Sequence, residues 1–156
     1  MTALNSSTAI ASDRVLVIER IFDAPREVVF EAWTMAEHLA RWWGPKDFTL
    51  PSCEIDFRVG GSYRFCMRSP AGEDHWVWGE YREIVEFERI AFTWNREDFS
   101  GMIWSSTIVD LSFADSRNGT VFTLRQGRFE TAPFCEEHRF GWSECLDRLG
   151  NFVEQL

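Results

Sequence analysis

The chain has 156 residues and a formal net charge of -9, a length that suits one domain and leaves little room for a second. Such a charge argues against nucleic acid and against an anionic membrane surface, since both need a basic face. No apolar run approaches the ~20 residues that cross a bilayer, so no membrane insertion is expected.

Hydrophobic residues make up 45% of the sequence, with 14 Phe and 8 Trp beside only 2 Tyr. So many large rings in a small domain either fill a thick core or line a hollow one. Cys53, Cys66, Cys135 and Cys145 form no CxxC pair, and Met1 to Ser12 has neither the basic start nor the apolar core of a signal peptide. Reduced thiols and a cytoplasmic location are therefore expected. His38, His75 and His138 lie far apart, and no spacing suits a metal. There is no phosphate loop, dinucleotide fingerprint or GxSxG, and no cofactor is expected.

Residues 1–12 read as a mobile tail and 13–156 as one domain. Val15 to Phe22 is rich in Val, Ile and Leu and reads as a strand. After Asp23-Ala24-Pro25, residues 26–34 carry Val29, Phe30 and Trp33 at helical spacing. A second short helix, 36–42, stops at Gly44-Pro45. Extended segments follow at 48–57, through the alternation of Tyr63, Phe65 and Met67 with Arg64, Cys66 and Arg68, and at 76–84, 89–94, 102–113 and 121–129. Asn118-Gly119 marks a hairpin, since both residues tolerate positive φ. From Phe134 the period returns to 3.6, and Trp142, Cys145, Leu146, Leu149, Phe152, Val153 and Leu156 form one stripe. The order of strand, two short helices, about six strands and a long helix predicts an α+β fold. In it an antiparallel sheet curls around the C-terminal helix. A cavity and a filled core fit this pattern equally.

Several short runs carry a family likeness: Arg20-x-Phe22-x-Ala24-Pro25-Arg26-Glu27-x-Val29-Phe30-x-Ala32-Trp33, Trp42-Trp43-Gly44-Pro45, Asp56-x-Arg58-x-Gly60-Gly61, Gly79-x-Tyr81-x-Glu83-Ile84, Arg89-Ile90-x-Phe92-Thr93-Trp94 and Gly141-Trp142. In this order and spacing, over residues 14–156, the chain resembles the START-like (SRPBCC) superfamily, in its branch related to the activator of Hsp90 ATPase homologue. The resemblance departs at Asp47, at Tyr63 and through 127–139. It implies the helix-grip fold, with a pocket between sheet and C-terminal helix. Such pockets bind lipids, sterols, polyketides and plant hormones, and a minority are enzymes.

The ligand-binding candidates are Trp42, Phe48, Phe65, Trp78, Phe92, Trp94, Trp142 and Leu146. Trp76 with Trp78, and Phe92 with Trp94, share faces at i and i+2 and can build aromatic walls or simply fill core. Trp104 falls near a strand end. One of Trp42 and Trp43 faces inward, either plugging the open end or stacking on a flat ligand. Arg64 and Arg68 are expected to face solvent; the alternative sends Arg64 inward to a ligand carboxylate. Glu80 and Arg82 share the face of Trp76 and Trp78, so either two charges enter the pocket or two tryptophans face solvent. Cys145 reads as a packing residue and His138 as a surface or capping histidine. The leading expectation is a binding protein for a small hydrophobic or aromatic molecule, with a homodimer possible. An enzyme of cyclase or hydrolase type would recruit Glu80, Arg82 or His138. A co-chaperone-like protein would instead expose an apolar or charged patch.

Overall fold

The computed structural model describes residues 14–97 and 99–156. The expected tail and the side chain of Trp104 lie outside the described residues. Seven strands form one curved antiparallel sheet: β1 (Leu16–Phe22), β2 (Thr49–Ile55), β3 (Ser62–Arg68), β4 (Asp74–Val85), β5 (Arg89–Glu97), β6 (Ile103–Ser116) and β7 (Gly119–Gly127). Their order is β1-β7-β6-β5-β4-β3-β2, so β2 to β7 are sequential hairpin neighbours and β1 returns beside β7. Two short helices, α1 (Arg26–Glu31) and α2 (Ala36–Trp42), occupy the connection between β1 and β2. The long α3 (Ala132–Glu154) crosses the concave face. No helix among the described residues is long and apolar enough to cross a membrane.

Period-two patterning assigns the faces. Tyr63, Phe65 and Met67 of β3, Val77 and Tyr81 of β4, and Ile90, Phe92 and Trp94 of β5 are buried on the inner side. Cross-strand pairs Phe65–Val77 and Tyr81–Phe92 keep these apolar sets in register. The partition settles β4. With Val77 and Tyr81 inward, Trp76, Trp78, Glu80 and Arg82 go outward. Trp78 is therefore not a wall of any interior space but a half-buried residue of the convex face. Arg64 also faces outward, its guanidinium 4.1 Å from the centre of the Trp76 ring. The guanidinium of Arg64 thus covers the Trp76 indole on the convex face.

The remaining departures from the sequence reading are local. The hairpin after β6 turns through Arg117-Asn118, one residue early, with Ser116 paired to Gly119. Only the glycine takes positive φ (131°), and a Cβ there would stand 2.1 Å from the Phe22 carbonyl oxygen. The last helix begins at Ala132, two residues early, because Thr131 Oγ1 accepts from the Phe134 N–H and Pro133 suits the first turn. It ends at Glu154, leaving Leu156 72% exposed beyond the stripe.

Polar contacts lock α3 against β1. Arg20 donates to Asp147 Oδ1 and Ser143 Oγ, each at 2.9 Å, and the Asp23 N–H donates to Glu154 Oε2 at 2.9 Å. Beneath the helix lies a continuous aromatic core. Trp33 stacks on Phe122 at 5.7 Å and meets Trp42 edge-on at 4.6 Å, while Phe30 makes edge-to-face contacts with Phe57, Phe87 and Phe113. Most of the interior is therefore filled, not hollow.

Candidate functional site

The filling stops where the first turns of α3 pass over the ends of β3, β4 and β5. There a cleft of about 290 Å³ opens between α3, the loop joining α2 to β2, and the sheet. Trp43, Phe48, Met67, Trp94 and Trp142 form its apolar walls, and Gly141 and Phe140 its helical side. Its charged or titratable groups are His75, Arg96, Glu137, His138, Glu144 and Cys145. The lining is mostly apolar with a few polar groups, the usual make-up of a small-molecule site.

Trp142, Trp94 and the loop are each held by specific contacts. Trp142 Nε1–H donates to Gln126 Oε1 at 2.7 Å, and Gln126 Nε2–H donates to Thr107 Oγ1 at 3.0 Å. This satisfied chain of buried groups fixes the Trp142 ring. Trp94 Nε1–H donates to His138 Nε2 at 3.2 Å, and the other ring nitrogen of His138 lies 3.1 Å from the Phe134 carbonyl oxygen. A carbonyl can only accept, so Nδ1 carries the proton and the ring is neutral. Burial, helped by the charge of Arg96, pulls the His138 pKa down to about 4. Both ring nitrogens are engaged, so His138 positions Trp94 and has no nitrogen left to move a proton.

The loop side is held by a single arginine. Arg148 Nη1 lies 3.2 Å from the Trp43, 3.1 Å from the Gly44, 3.0 Å from the Pro45 and 3.2 Å from the Phe48 carbonyl oxygen. The two hydrogens on that nitrogen are shared among four acceptors, which closes the loop around the guanidinium. Gly44 makes this tight turn possible with φ 103°, where a Cβ would meet Phe48 Cβ at 3.1 Å. Its N–H donates to Cys145 Sγ at 3.3 Å. Burial pushes the Cys145 thiol up to about 12, so it packs and accepts a hydrogen bond but is no thiolate nucleophile.

The sequence-based candidates scatter around this cleft. Phe48, Trp94 and Trp142 line it. Trp42 is fully buried behind it, donating from Nε1 to the Ala32 carbonyl at 3.0 Å; its neighbour Trp43 supplies the wall instead. Leu146 is core. Phe65 and Phe92 border a much smaller internal void of about 10 Å³, separated from the cleft by the Trp43 ring. Trp78 is on the opposite face of the sheet.

The acid/base candidates disperse as well. Glu80 and Arg82 are exposed, 3.5 Å apart on the convex face, and His138 is 5% exposed instead of lying at the surface. Its position was legible, since it stands four residues before Trp142 and extends the helical stripe. Arg96 was missed because the strand reads as ending at Trp94. It runs on to Glu97, and i+2 from Trp94 is Arg96.

Comparison with known proteins agrees with this architecture. The family described as "Activator of Hsp90 ATPase homolog 1-like protein" matches residues 23–154. A crystal structure of a protein from Chromobacterium violaceum superimposes with a TM-score of 0.80 at 30% identity, covering 90% of this chain and 97% of that one. A protein from Nitrosomonas europaea gives 0.77 at 21% identity over 92% and 96%. The AHSA1 protein from Silicibacter pomeroyi gives 0.78 at 23% over 88% and 95%. No curated protein sequence matches at a significant level. Folds of this kind bind small hydrophobic ligands. With the matched region spanning most of the chain and the same sheet-and-helix framework in the solved relatives, the chain belongs to the activator of Hsp90 ATPase homolog 1-like family.

Proposed function

We propose that this protein binds a small, flat, apolar molecule without transforming it, and that the cleft under the start of α3 is the binding site. One observation carries the reading. At one end of an otherwise filled aromatic core, Trp43, Phe48, Met67, Trp94 and Trp142 border about 290 Å³ of space. Binding would be driven by removing the ligand's apolar surface from water. The rings are already fixed by Gln126, His138 and Arg148, so little ordering has to occur on binding. Binding is favoured over turnover because His138 is engaged at both nitrogens, the Cys145 thiol is not ionised, and Glu80 and Arg82 face solvent.

Native mass spectrometry of the purified protein, with tryptophan fluorescence against a panel of aromatic and aliphatic probes, tests this. A co-purified small molecule, or a saturable change at micromolar probe, is the expected result. An empty protein that no probe perturbs would point to a surface function. For that second reading the rim of the cleft is the relevant feature: Phe140 on α3 and Phe99 beyond β5 are 68% and 61% exposed. They could dock a protein partner or a second copy of the chain.

A further inference from the structure

The cleft has one polar feature that an apolar ligand alone does not explain. Arg96 is the only Arg or Lys among the described residues lining it. It sits on the concave face, two residues after Trp94, where the pairing of β5 with β6 shifts register between Trp94 and Arg96. Such irregularities re-aim a side chain. Other inward positions of β3, β4 and β5, such as Phe65, Val77 and Phe92, are apolar and buried. A cation there is costly unless something answers it.

Its answer within the protein is partial. Arg96 Nη1 meets Glu137 Oε1 at 3.0 Å, with the arginine side chain 16% and the glutamate 59% exposed. Arg96 Nε is buried and has no hydrogen-bond partner. A guanidinium offers five N–H groups in a planar fork, and this ion pair uses one. Glu137 lies on the solvent side, where water screens its charge, while the arginine lies in drier surroundings. Its field is felt inside, since it helps depress the His138 pKa. Glu144, across the cleft, accepts from the Lys46 N–H at 3.3 Å.

We propose that the ligand is an aromatic acid: a flat apolar body against Trp43, Trp94 and Trp142, with one anionic oxygen-bearing group on the guanidinium of Arg96. The inference rests on the cleft being the binding site and adds the chemical class. Carboxylate and sulfonate both present the paired oxygens that a guanidinium fork accepts.

A matched pair of fluorescent probes separates the two levels. Anilinonaphthalene sulfonate and N-phenylnaphthylamine share an aromatic body and differ in the sulfonate. Both should bind the wild type. Arg96→Met should weaken the sulfonate probe by about tenfold or more and leave the neutral probe within about twofold. Arg96→Lys keeps the charge but loses the planar fork, and should recover only part of the sulfonate affinity lost in Arg96→Met. Glu137→Gln, which frees the fork and removes a carboxylate from the cleft lining, should tighten the sulfonate probe several-fold and leave the neutral probe within about twofold. Equal weakening of both probes by Arg96→Met, or no effect on either, overturns the aromatic-acid inference while leaving the cleft as an apolar site. Failure of both probes to bind the wild type overturns the cleft reading, and the inference with it.

Discussion

The two ends of the groove beneath α3 use the same kind of residue to opposite ends. At one, Trp33, Trp42, Phe22, Phe113 and Phe122 close on each other under α1 and α2, at ring spacings such as 4.6 Å for Trp33–Trp42. At the other, Trp43, Trp94 and Trp142 also touch, at 5.3–6.2 Å, yet one side of this cluster faces a cleft. Aromatic content does not decide between core and cavity. What decides is the backbone over the rings: two helices at the filled end, and at the open end a loop held back by Arg148 and a helix that presents Gly141 instead of a side chain. A Cβ at Gly141 would come no nearer than 3.8 Å to Pro45.

The comparison breaks most sharply on truncation. Trp42→Ala at the filled end should cost about 3–5 kcal/mol of stability, because a fully buried ring and its hydrogen bond are lost together. Phe48→Ala, at a half-buried residue of the cleft, should cost far less by urea unfolding yet weaken probe binding. Equal losses from the two would erase the distinction. The polar support of the open end comes next. Gln126→Leu leaves Trp142 Nε1–H without its acceptor in a dry interior and should cost about 1–3 kcal/mol; a neutral result would mean that the network does not hold the ring.

Acid should then loosen the open end. The pKa of His138 is about 4 when folded, against an ordinary value of 6.5. Between those values the unfolded chain binds a proton that the folded chain refuses. The stabilisation is thus complete above about pH 6.5 and is lost as the pH falls toward 4, by about 2 kcal/mol on reaching pH 5. Unfolding midpoints at pH 7 and pH 5 should differ by correspondingly less in His138→Gln. An unchanged difference would show that another group is responsible. The smallest effect belongs to the convex face, where Trp76→Ala removes one stacked arginine contact and should cost about 1 kcal/mol or less.

The sequence carries these features unevenly. Regular periodicities were readable: strand alternation placed Tyr63, Phe65 and Met67 inward, and the stripe from Trp142 to Val153 placed α3. The faces of β4 were not, because Trp76 and Trp78 look like core and the decision rests on neighbours, Val77 against Phe65 and Tyr81 against Phe92. Nor could a pattern choose between Trp42 and Trp43, since the helix ends between them and the backbone turns at Gly44. The cleft depends on where α3 starts, how Arg148 gathers four carbonyls and how β5 shifts register before Arg96. The start of α3 has a local signature in Thr131 and Pro133; the other two are tertiary events with none.

The most direct measurement is a titration of N-phenylnaphthylamine into the wild type and into Gly141→Leu, read by probe fluorescence beside thermal unfolding of both proteins. The leucine side chain would enter the cleft, while replacing a helical glycine favours the helix by up to about 1 kcal/mol. The expected result is saturable binding to the wild type, at least tenfold weaker binding to Gly141→Leu, and a melting temperature equal or higher in the variant. Undiminished binding to a folded Gly141→Leu would contradict the assignment of the cleft as the binding site.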